Sequence, residues 1–72
     1  MSSVHSARYR RFLRRLRRAR EQSGLTQTEV AAALRRPQSF VSKCESGERR
    51  VDVVELAVLA RLYAKPITWF LK

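Results

Sequence analysis

Leu25–Arg50 reads LTQTEVAAALRRPQSFVSKCESGERR, and the part of it from Gln27 to Ser46 decides what the chain becomes. Thr26 followed three residues later by Glu29 is a capping box, which predicts a helix starting near Gln27. Val30, Ala31 and Leu34 then fall at i, i+1 and i+4 and share one apolar face. Pro37 cannot continue that helix, because it lacks an N–H and restricts the residue before it. It can open the next one, in whose first turn proline is favoured. Val41 and Cys44, at i and i+3, form the inward stripe of this second helix. Gly47 ends it, where a left-handed residue is wanted.

Two helices of under three turns, joined by the break Arg35-Arg36-Pro37, make a helix-turn-helix unit over 27–46, whose second helix is the usual reader of DNA. Leu25-Thr26-Gln27, Val30-Ala31, Gln38-Ser39-Phe40-Val41-Ser42-Lys43 and Glu45-Ser46-Gly47 closely resemble the Cro/CI-type (Xre) helix-turn-helix domain of phage and bacterial repressors. The resemblance runs from about Leu13 to Leu71. It implies an all-α, five-helix, lambda-repressor-like domain. It also implies an ion pair between Arg20, near the end of the first helix, and Glu45, near the end of the third. Two positions depart from the family pattern: Arg35 and Ala64 stand where glycine is common. A non-glycine residue in the left-handed region costs roughly 1 kcal/mol, which predicts a reshaped turn at Arg35.

Working outward, residues 1–6 show little periodicity and are expected to be a disordered segment, with residues 7–72 forming a single domain. From Ala7 the pattern turns helical. Tyr9, Phe12, Leu13, Leu16 and Ala19 form one stripe, with arginines on the other faces. The first helix is predicted over 7–22, with Gly24 as a stop signal and Glu21 able to pair with Arg17 or Arg18. The second and third are predicted over 27–34 and 38–46. Asp52 and Glu55 make a second capping box that opens a helix over 53–63, whose stripe is Leu56, Leu59, Ala60 and Tyr63. Pro66 opens a short fifth helix over 67–71. No strand pattern or repeat is present.

Length and composition bound the function. The chain has 72 residues, one domain that buries only about 60% of its unfolded surface. Lys and Arg number 16 against six acidic residues, for a net charge of +10, and eight of the arginines fall between Arg8 and Arg20. Such a balance favours polyanionic partners, nucleic acid first and an anionic membrane surface second. The arginine-rich face reads as a solvated surface, a phosphate-facing footprint or an amphipathic membrane helix. The last is weakened because its apolar stripe belongs to a longer globular pattern. No run approaches the ~18 apolar residues of a membrane span, and the basic N-terminus lacks the apolar region of a secretory signal. The expected location is a reducing cytoplasm, on the nucleoid. Cys44 is the only cysteine and His5 the only histidine. Cys44 reads as a small core residue, and no metal or other cofactor is expected.

These features point to a transcriptional regulator that binds double-stranded DNA at specific sequences, a repressor on a palindromic operator. Gln38, Ser39, Ser42 and Lys43 lie on the outward side of the third helix as base readers, since Gln matches adenine and Lys can reach guanine. Gln27 occupies the position that holds phosphate in the family, with Thr28 beside it. Arg20, Arg49 and Arg50 are further candidates for phosphate. Phe40 either packs under the domain or offers an edge to a thymine methyl. Ile67, Trp69, Phe70 and Leu71 crowd the C-terminus and are expected to form a homodimer contact, in solution or completed on DNA, with Trp69 alternatively in the core. The alternative function is an interaction module, such as the antitoxin of a toxin–antitoxin pair. An enzyme is disfavoured by the lack of a catalytic dyad, a ligand cluster or a Gly-rich phosphate loop.

Overall fold

The computed structural model describes residues 6–72. It contains five helices and, among the described residues, no strand: α1 (Ala7–Gln22), α2 (Gln27–Leu34), α3 (Gln38–Ser46), α4 (Val53–Leu62) and α5 (Ile67–Phe70). The segment expected to be disordered lies, for residues 1–5, outside the described residues. Ser6 belongs to α1 as its N-cap, its hydroxyl accepting from the Tyr9 N–H at 3.1 Å.

Each capping box closes in both directions. Thr26 Oγ1 accepts from the Glu29 N–H while Glu29 accepts from the Thr26 N–H. Asp52 and Glu55 do the same at the start of α4. Satisfying two orphan donors at once fixes where each helix begins. Pro37 and Pro66 stand immediately before Gln38 and Ile67, the predicted first residues of their helices. They are the N-caps of α3 and α5, with extended ψ of 154° and 152°. A proline N-cap gives no side-chain bond, so α3 and α5 are held by packing. α4 stops at Leu62 and α5 at Phe70, one residue short of the predicted ends.

The turns explain how two glycine-type positions work without glycine. Gly24, Arg35, Gly47 and Ala64 all have positive φ. Arg35, at φ 57° and ψ 44°, lets the Arg36 N–H reach back to the Ala31 carbonyl at 3.0 Å. Ala64, at φ 57°, lets the Lys65 N–H reach the Ala60 carbonyl at 2.9 Å. Both are the 6→1 bonds of a Schellman ending, which require the left-handed residue whatever its side chain. The α2–α3 turn is therefore not reshaped. The backbone keeps the glycine-like geometry and accepts the strain.

The core is one cluster drawn from all five helices. Phe12, Leu13, Leu16 and Ala19 come from α1, Val30 and Ala31 from α2, Val41 and Cys44 from α3, and Leu56, Leu59 and Ala60 from α4, with Tyr63 and Phe70 completing it. Leu16 is 1% exposed and Ala19 and Val30 are fully enclosed. Burying a leucine of this kind contributes about 1.5–3 kcal/mol. Cys44 lies in this core, and burial pushes its thiol up from the ordinary value. Phe70 is 1% exposed, so it is a core residue and not part of a dimer contact. One helical turn after Pro66 has a single inward direction, and the largest ring takes it.

Candidate nucleic-acid interface

α2 and α3 pack tightly on each other, and α3 turns Val41 and Cys44 inward. The helical period then places Gln38, Ser39, Ser42 and Lys43 on the opposite side. Gln38, Ser39 and Lys43 are exposed, and Ser42 is half-buried at the edge of the row. Gln27 opens α2 half-buried beside the N-terminus of α3, and Thr28 next to it is exposed.

A hydrogen-bond chain joins this surface to the interior. Gln38 Nε2 donates to Gln27 Oε1 at 2.7 Å, and Gln27 Nε2 donates to Glu45 Oε1 at 3.0 Å. Glu45 accepts in turn from Arg20 through Nε at 2.6 Å and Nη2 at 3.1 Å. Arg20 Nη1 donates to the Leu25 carbonyl at 2.9 Å. The polarity of the chain follows from its inner end. A carboxylate only accepts, so Gln27 must turn its NH2 to Glu45, which leaves its oxygen for Gln38. Gln38 must then spend one N–H on Gln27 and keeps its other N–H and its carbonyl oxygen. That pair is the donor–acceptor set that adenine complements in the major groove. Gln38 and Glu45 are seven residues apart on α3 and so lie on one face. That spacing was the sequence signal for this chain.

Arg20 is a correction to the phosphate candidates. It is 9% exposed, and the Glu45 pair raises its pKa further above the ordinary arginine value. All three of its guanidinium nitrogens face partners inside the fold. It ties α1 to α3 and does not present charge to solvent.

The loop after α3 is also more engaged than its sequence implies. Arg49 donates to both carboxylate oxygens of Glu55, each at 2.8 Å, and to the Arg50 carbonyl. Its guanidinium lies 4.7 Å from the centre of the Phe40 ring, and Arg36 lies 4.5 Å from the same ring. Hydrogen bonding to Arg49 holds the Glu55 carboxyl below the ordinary glutamate value. Phe40 is thus half-buried, packed against the core and covered over its ring by cations. The Arg50 guanidinium lies 4.4 Å from the Tyr9 ring, whose hydroxyl accepts from the Val51 N–H. The role of Tyr9 here escaped the sequence reading because its partners Arg50 and Val51 are more than 40 residues away, and that of Arg36 because it reaches Phe40 across a turn and not along one helix.

The C-terminal candidates divide three ways. Ile67 and Leu71 are 38% and 67% exposed. Phe70 is core. Trp69 is half-buried, its ring covered by Arg15 at 4.1 Å and Lys65 at 4.7 Å, and its carbonyl accepts from Arg15. Exposed Val53 joins Ile67 and Leu71 along a cavity of about 630 Å³ between α1, α4 and α5. Among the described residues no group of acidic, histidine or cysteine side chains could hold a metal ion. Among them no helix is long and apolar enough to cross a membrane.

Residues 11–66 match the helix-turn-helix domain family. The chain belongs to that family. No curated protein and no solved structure matches it significantly. The helix-turn-helix domain points to DNA binding, and the match spans α2, α3 and the chain of bonds from Arg20 to Gln38.

Proposed function

We propose that the protein is a sequence-specific regulator of transcription, a repressor of the Cro/CI (Xre) type that binds a palindromic operator as a dimer. It acts by binding and not as an enzyme. The observation that carries this reading is the fixed amide of Gln38 at the N-terminal end of α3, with Ser39, Ser42 and Lys43 continuing the row. A reader held in one polarity discriminates between bases, whereas a freely rotating amide does so less well. Gln27 keeps one N–H for a phosphate beside the N-terminus of α2, next to Thr28. Arg50 lies at the far end of the reader helix. The exposed Val53, Ile67 and Leu71 support a two-fold contact, which on DNA would set two reader helices about 34 Å apart.

The test begins with selection of bound duplexes from a random pool. A palindrome is expected in the selected sites. Gln38→Ala should then cost about 1–3 kcal/mol on the selected duplex and relax one base position. Equal weakening of selected and scrambled duplexes would remove Gln38 as a reader. Selected sites without two-fold symmetry, bound by one protomer each, would remove the dimer.

A further inference from the structure

Most arginines of this protein have a partner within the fold. Arg20 holds Glu45, Arg17 pairs with Glu21, and Arg49 pairs with Glu55. Arg15 covers Trp69, Arg36 covers Phe40, and Arg50 covers Tyr9. Among the described residues Arg8, Arg11, Arg14, Arg18, Arg35 and Arg61 do not, and Arg11, Arg14 and Arg18 are the ones that share a row. They are exposed, and among the described residues they have no ion pair, hydrogen bond or ring contact. Their spacing of three and four places them in one row along α1. Of the six acidic residues five are engaged elsewhere, and the sixth, Glu48, lies in the loop after α3. Glu29, Asp52 and Glu55 cap helices, and Glu21 and Glu45 are paired.

The row also points away from the reader. α1 and α3 pack against each other, with Leu16 meeting Val41 and Cys44. The outward side of α3 and the outward side of α1 are therefore on opposite sides of the shared core. One straight duplex lying on Gln38 and Lys43 cannot also lie along Arg11, Arg14 and Arg18. From this we infer that the Arg11–Arg14–Arg18 row of α1 is a second, sequence-independent DNA-backbone site, which lets one protein molecule hold two duplex segments. It is called second on the reading of α3 given above.

The chemistry fits this occupant. Arginine binds phosphate through a fork of two parallel N–H bonds, stays charged at any pH, and is less strongly hydrated than lysine. The row spans about 10 Å along the helix axis, a length over which a duplex presents several phosphates on one side. The apolar stripe of α1 is buried in the core, so this helix has no free apolar face to insert into a bilayer. With three phosphate contacts the second site should weaken about 40-fold between 50 and 200 mM salt.

The experiment uses the full chain, a donor-labelled duplex carrying the selected site and an acceptor-labelled scrambled duplex. Energy transfer reports one protein bringing both together, and anisotropy of the donor duplex alone reports the reader site. The triple variant Arg11→Gln, Arg14→Gln, Arg18→Gln keeps every buried contact and good helix formers. The expected result is loss of transfer by more than about tenfold, with affinity for the selected duplex changed less than about twofold. Three results would overturn the proposal. Transfer could persist in the triple variant. Affinity for the selected duplex could fall with the transfer, which would place the row on the same duplex as α3. Scrambled DNA could fail to compete while RNA, an acidic protein or anionic vesicles did, which would assign the row to another partner. Failure of the α3 reading shows separately, as Gln38→Ala acting alike on selected and scrambled DNA, and leaves the transfer assay able to decide.

Discussion

Arg20–Glu45 and Arg49–Glu55 are both two-bond Arg–Glu pairs, the first through Nε and Nη2 and the second through Nη1 and Nη2, placed at different depths. In the first pair the side chains are 11% and 6% exposed; in the second they are 40% and 18% exposed. The inner pair connects α1 to α3 across 25 residues of chain, and the outer one closes a six-residue loop. The inner carboxylate also accepts from Gln27, so its charge orients a chain of amides that reaches the surface. The outer carboxylate also caps α4, through Oε1, one of the two oxygens that hold Arg49. Depth turns one ion pair into a device that sets orientation, while the other remains a local clasp. A buried pair gains little net stability against an apolar substitute, but removing one partner strands a charge.

The largest effect should come from Arg20→Ala. Leaving Glu45 buried and unpaired should cost about 3–5 kcal/mol in denaturant unfolding. If the loss is no greater than that of Arg49→Ala, the contrast between the two depths is wrong. Replacing both partners by apolar residues, Arg20→Met with Glu45→Leu, should recover much of that stability. It should not recover discrimination between bases, because Gln27 and Gln38 lose the group that sets their polarity. A double variant that folds and discriminates normally would break the link between the buried pair and the reader.

A smaller effect, of opposite sign, tests the turns between these regions. Arg35→Gly and Ala64→Gly should each raise stability, by up to about 1 kcal/mol, because they relieve left-handed strain at positions that keep 6→1 bonds. The entropy of a more flexible unfolded chain offsets part of this gain. A drop in melting temperature at either position would mean that the side chain contributes more than the backbone loses.

The smallest effect should be Arg49→Ala, near the resolution of a melting curve, because both partners are partly solvated. The pH dependence follows from the lowered Glu55 carboxyl. Its stabilisation is present above the ordinary glutamate value and is lost as the pH falls through the lower, folded-state value. The stability difference between the protein and Arg49→Ala should therefore shrink as the solution is acidified below about pH 4. A difference that grows on acidification would contradict the pairing.

The sequence alone determined the helical elements and the helix-turn-helix unit. Capping boxes, prolines and left-handed stops are local signals, each acting within four residues, so they fix helix boundaries without knowledge of the fold. The apolar stripes of α1 and α4 are periodic and equally local. Tertiary structure decided which charged and aromatic groups were left for partners. An arginine in the sequence carries the same charge wherever it falls, and only three-dimensional proximity engages Arg20, Arg36 and Arg49 while leaving Arg11, Arg14 and Arg18 exposed. Phe70 was sent inward and Leu71 outward for a similar reason. A single turn of helix cannot show periodicity, so which side chain is buried depends on where the other four helices leave room.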